Sequence, residues 1–96
     1  MKVMINEKLL NFSFVGFGPQ YMYETITGEV FTGASTRNVH ILIYSTLLFC
    51  NKEAFKMSIE EFLAWLYEHP LEQDEMTAAI ISEIERHNSL RAKKKE

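Results

Sequence analysis

A chain of 96 residues that is 47% apolar and 24% charged describes one globular domain near the lower limit for an independent core, with no room for a second. Its single cysteine, Cys50, excludes an intramolecular disulfide framework and suits a reducing cytoplasm, where it is expected as a small buried hydrophobe. The formal net charge of −3 is uneven: residues 1–57 carry +1, residues 58–90 carry eight acids against Arg86 alone, and residues 91–96 carry +3. An acidic helical half repels nucleic acid and favours protein partners, so no nucleic-acid partner is expected. No apolar run is long enough to cross a bilayer, and the mixed charges of residues 1–10 are unlike a signal peptide, so no membrane role is expected either.

In chain order, residues 2–5 and 9–14 both alternate around Asn6 and Glu7. Val3 and Ile5 share one face of the first arm and Leu10, Phe12 and Phe14 one face of the second, which predicts a β-hairpin. Asn6 tolerates the left-handed backbone of a tight turn; Glu7 is a poorer second residue than glycine. Gly16 to Pro19 is a break followed by a helix start, and Gly28 is a natural left-handed cap. Between them residues 20–27 are expected as a short helix with Met22 and Ile26 inward and Tyr23 on its shoulder. Phe17, Tyr21 and Tyr23 have no interleaved basic residues, as a single-strand stacking platform would require.

Residues 35–51, STRNVHILIYSTLLFCN, are apolar on every side of a helical wheel, which predicts a central helix capped by Ser35 or Thr36 and stopped by Asn51. A β-branched strand over residues 39–44 is the rival, but the apolar run exceeds ordinary strand length. Covering such a helix from all sides is hard for so short a chain, so either a wrapped central helix or a self-association surface is expected, with association preferred. Ala54 and Phe55 are expected to cover part of the core. Ser58 with Glu61 forms a capping box, and Met57 with Phe62 a hydrophobic staple. Ile59, Phe62, Leu63, Leu66 and Tyr67 make an apolar stripe with Trp65 at its edge, either packed or facing a partner, and Pro70 ends the helix at His69. In the last helix, residues 71–90, Met76, Ile80, Ile84 and His87 form a narrow seam that covers the core incompletely. The remaining residues, 91–96, are expected as a disordered basic tail.

The expected fold is therefore α+β, mostly α: an N-terminal hairpin followed by about four helices around a central apolar helix, in a single domain over residues 1–90. His40, His69, His87 and Cys50 are not at metal-ligand spacing. Gly16-Phe17-Gly18 lacks the lysine or serine of a phosphate loop, the carboxylates sit on solvated helix faces, and no serine or cysteine has a matching base. A non-enzymatic protein with no metal and no cofactor is expected.

The order of these elements is suggestive. A hairpin turning at Ile5-Asn6-Glu7-Lys8, a helix ending at Thr27-Gly28, an apolar helix, Phe55, the capped Ser58-Ile59-Glu60-Glu61-Phe62 and a final acidic helix resemble the tail assembly chaperones of long-tailed bacteriophages. The resemblance runs over about residues 1–90, with a glutamate where the turn would more familiarly hold glycine. It implies a cytoplasmic, oligomeric protein that binds and shields the tape measure protein during tail building and is absent from the finished virion. Family members are often extended by a programmed ribosomal slip, a site that Lys93-Lys94-Lys95 would fit, although a merely solvated tail is the preferred account of those lysines. The partner-binding residues expected on this reading are Trp65, Met76, Ile80, Ile84 and His87, and aspartate at both Ile80 and Ile84 is expected to abolish binding with helicity intact. A small cytosolic adaptor for another helical partner is the alternative. A nucleic-acid-binding regulator would need a helix with clustered basic residues.

Overall fold

The first two strands show how the sequence sets local geometry. The computed structural model describes residues 1–33 and 35–95. In it β1 (Lys2–Ile5) pairs antiparallel with β2 (Lys8–Asn11), Ile5 opposite Lys8 and Lys2 opposite Asn11. Only two residues are left for the turn, and both take the left-handed backbone that this connection requires, Asn6 at φ 49° and Glu7 at φ 69°. Alternation carries past the ladder, so that Val3, Ile5, Leu10, Phe12 and Phe14 all lie in the core.

After Gly16, also left-handed at φ 81°, α1 spans Gly18–Thr27 and ends on Gly28, whose N–H donates to Glu24 O. Its inward face differs from expectation: Pro19 and Tyr23 are buried while Ile26 is exposed. The larger ring takes the inward position because it meets Phe31 edge to face, with centroids 5.4 Å apart. A Cβ at Gly18 would overlap the Phe49 ring of the next helix, so this position brings the two helices together.

The central helix, α2 (Thr36–Cys50), is capped by Ser35, which accepts from Asn38 N, and closed by Asn51. All seven residues from 41 to 47 are buried, two full turns. Ser45 and Thr46 tolerate complete burial because each hydroxyl donates to the carbonyl four residues back, Ile41 O and Leu42 O, at 2.7 Å. The chain thus covers these two turns by itself, the wrapped arrangement of the two expected. Asn51 does more than end the helix. Its amide accepts from Asn11 N at 2.9 Å and donates to Asn11 O at 2.7 Å, standing in for a third strand along the outer edge of β2.

Phe55 then turns inward and Ala54 stays exposed. Phe55, Tyr44 and Phe62 form an aromatic triangle with centroids 5.5–5.7 Å apart. The capping box at Ser58 and Glu61 is present at the start of α3 (Ile59–Glu68). That helix is rolled relative to the expected stripe: Phe62, Trp65 and Leu66 are buried, whereas Leu63 is 37% and Tyr67 88% exposed. Trp65 rather than Tyr67 faces inward because it continues the aromatic column, stacked on Phe62 at 5.9 Å and on His69 at 4.1 Å. Pro70 opens α4 (Pro70–Lys95), which continues through five of the six residues expected as a disordered tail; the sixth, Glu96, lies outside the described residues.

Candidate partner-binding surface

The seam of α4 changes character along its length. Met76 and Ile80 are 0% and 2% exposed and belong to the core, while Ile84 and His87 are half-buried. Contact with the rest of the fold is therefore densest near the start of the helix and loosens toward its far end. Ile81, one residue out of register with the seam, is 47% exposed.

Two grooves open along the looser stretch. The smaller, about 260 Å³, runs between α2 and α4, floored by Ile80 and walled by Val39, Thr77, Ile81 and Ile84. At its rim Gln73 Nε2 donates to His40 Nε2 at 2.9 Å, which ties the two helices together. The larger, about 420 Å³, lies between α4 and the loop before α1, with Phe14, Phe17 and Ile84 on its apolar side and His87, Arg86 and Arg91 on its polar side. Phe31 and Ile84 line both, so the two lie side by side as a lane along α4. Phe17 meets His87 edge to face at 6.2 Å, fixing the loop against the helix.

Charge in the larger groove is partly internally matched. Arg86 grips Glu83 with two hydrogen bonds, Nε to Oε2 at 3.0 Å and Nη2 to Oε1 at 2.7 Å. The hydrogen bonds from Arg86 hold the Glu83 carboxyl below the usual carboxylate range, against a smaller opposing effect of burial. Arg91 makes no ion pair among the described residues.

Of the five residues expected to bind a partner, the structure gathers Ile80, Ile84 and His87 at the grooves and places Trp65 and Met76 away from them. Trp65 and Met76 are core residues away from both grooves, and Ile80, though it floors one, is 2% exposed and presents little surface there. Aspartate at Ile80 would therefore bury a charge and unfold the chain, so the helicity expected to survive that exchange would be lost. The accessible apolar residues are others. Ile81 lies outside the innermost row of α4: a wheel centred on Ile80 places it 100° away, on the groove wall. Tyr67 and Leu71, 88% and 72% exposed, form a second apolar feature at the corner between α3 and α4.

Among the described residues no three His, Cys, Asp or Glu side chains come together in a way that could hold a metal ion. None of the described helices is long and apolar enough to cross a membrane. No protein-family model, curated protein or solved structure matches the chain.

Proposed function

We propose that this protein is a non-enzymatic assembly chaperone that holds a long apolar helix of a partner, the tape measure protein of a phage tail, in the lane along α4. The observation that carries the reading is the groove between α2 and α4, in which Ile81 is 47% exposed beside Val39 and Ile84. An amphipathic helix laid in such a groove buries anchors at three- and four-residue steps. The eight acids of residues 58–90 keep a complex with an apolar partner soluble. This is the division of labour that shielding an unassembled tape measure requires: apolar contact on one side, charge on the other. The resemblance in element order supports the choice of partner; an adaptor for a different helical protein would use the same lane.

The test is co-expression with segments of the very long helical protein encoded in the same tail gene cluster. Ile81→Asp changes a half-exposed side chain and should leave the far-ultraviolet circular dichroism as it is, while co-purification of the tape measure segment falls at least tenfold. Undiminished capture by Ile81→Asp would remove the groove from the account, and a gene neighbourhood without a tail tube and a tape measure would remove the phage partner.

A further inference from the structure

The corner where α3 gives way to α4 carries exposed apolar side chains flanked by acids. Tyr67 is 88% and Leu71 72% exposed, and Leu63, one turn before Tyr67 on the same side of α3, is 37% exposed. Asp74 and Glu75 stand three and four residues beyond Leu71, so they flank it on the surface of α4. Residues 58–75 hold Glu60, Glu61, Glu68, Glu72, Asp74 and Glu75 and no lysine or arginine.

Part of this charge serves the helices themselves. Glu61 closes the capping box, and Glu60 and Glu72 lie in the first turns of α3 and α4, where the helix dipole favours a carboxylate. The same reasoning does not account for Glu68, Asp74 and Glu75, all of them exposed. Glu68 is the last residue of α3, at the end where the dipole disfavours an acid, and Asp74 and Glu75 lie past the first turn of α4. None of the three forms an ion pair among the described residues. Arg37, one turn before the His40 that meets Gln73, is directed instead at Glu29, 3.9 Å away.

We infer that this corner is a docking surface for a basic amphipathic segment of a protein partner, whose apolar side chains cover Tyr67 and Leu71 while its lysines or arginines meet Glu68, Asp74 and Glu75. Tyrosine is a frequent interface anchor because it brings a large contact area with few rotatable bonds. The carboxylates supply selectivity, since an acidic segment of the same shape meets repulsion and a neutral one gains nothing from them. Nucleic acid and an anionic membrane surface are repelled for the same reason. None of Tyr67, Leu71, Glu68, Asp74 and Glu75 lines either groove along α4, so the corner is a second surface and does not depend on the tail-assembly reading.

The chain's single tryptophan, Trp65, lies two residues from Tyr67 and reports on the corner. The probe is a tryptophan-free peptide of leucine and lysine, about five turns long, with its leucines at three- and four-residue steps. One control has the same composition in scrambled order, and the other has glutamate in place of lysine. Titration of the full chain, followed by Trp65 fluorescence and by calorimetry, should show saturable one-to-one binding of the patterned leucine–lysine peptide that weakens as salt rises. The scrambled peptide should bind at least about tenfold more weakly, and the glutamate peptide not at all. Tyr67→Ser should weaken binding at least about tenfold with unchanged circular dichroism. Asp74→Asn combined with Glu75→Gln should weaken it several-fold and flatten its salt dependence, whereas Ile81→Asp, in the separate lane, should bind as the wild type does. Equal affinity for the scrambled peptide would reduce the contact to bulk charge attraction and overturn the proposal. So would wild-type affinity in Tyr67→Ser, or affinity lost in Ile81→Asp and kept in the corner variants, which would move the basic segment to the lane. Sedimentation in which the wild type self-associates and Tyr67→Ser does not would give the corner to a second copy instead and overturn it equally.

Discussion

Tyr44 illustrates how one side chain can set the pH range in which the fold survives. Its hydroxyl donates to Met57 O at 2.7 Å, and burial, followed by the nearby carboxylates of Glu60 and Glu61, raises its pKa above the ordinary tyrosine value. In the unfolded chain the phenol loses its proton near pH 10; in the folded chain it keeps the proton to higher pH. Between those two values the unfolded state binds fewer protons, so stability falls as pH rises, and below the unfolded value this group contributes no slope. The urea midpoint of the wild type should therefore drop above about pH 10, and the drop should be smaller in Tyr44→Phe. An identical alkaline slope in both proteins would exclude Tyr44 as its origin. Glu7 is a second residue with a measurable consequence. A non-glycine side chain at φ 69° carries roughly 1 kcal/mol of strain, so Glu7→Gly should raise the melting temperature by several degrees, reduced somewhat by the greater freedom of glycine when unfolded. A lower melting temperature in calorimetry would contradict a strained turn.

The pairing of Asn51 with Asn11 joins the hairpin to the end of the central helix across 40 residues of sequence. The same amide also donates to Leu47 O at 2.9 Å. Removing it in Asn51→Ala should cost roughly 1–3 kcal/mol, with water recovering part of the loss at the exposed Asn11. Asn51→Asp keeps an acceptor for Asn11 N–H but turns a carboxylate toward two carbonyls, so it should be no better than alanine at neutral pH. Faster hydrogen exchange at the Asn11 amide in both variants would localise the damage to the strand edge; wild-type stability in Asn51→Asp would mean that the donated bonds contribute nothing. Element starts and stops such as Ser35, Asn51, the Ser58–Glu61 box and Pro70 were legible in the sequence because capping is local chemistry. The roll of α1 and α3 was not. On α1 the neighbouring rows of Tyr23 and Ile26 compete, and on α3 Trp65 lies nearly opposite Tyr67; the inward side is set by Phe31 for the first and by Tyr44 and Phe55, packed on Phe62, for the second, partners placed only once the chain has folded.

Across the whole molecule, the α+β class and the central position of α2 were legible because a helix apolar on every side has nowhere to go but the middle. Of the two expected ways of covering it, the chain wraps residues 41–47 itself. Helical-wheel reasoning counts the apolar faces of α2 but cannot count the aromatic side chains that the hairpin and the 52–57 connection bring to it. Phe12, Phe14 and Phe55, all at most 5% exposed, close much of that gap. Apolar surface is left at the periphery, along α4, at its corner with α3, and also around the hairpin and α1, where Met4, Leu9, Val15, Phe17 and Tyr21 are exposed; the partner lane is placed along α4. Of the residues expected to bind, Trp65, Met76 and Ile80 are taken up by the core, while Ile84 and His87 stay half-buried at the grooves.

The unbroken burial of residues 41–47 also constrains how the gene can change. A surface helix absorbs an inserted residue by turning its polar side slightly, but this one has no polar side to turn. Adding or deleting a single codon within those two turns would rotate every later side chain by about 100° into a neighbour shaped for a different one. Point exchanges of similar volume remain open to it, and drift in length does not, so variation in length is expected in the loops and at the outer end of α4, never in its hub.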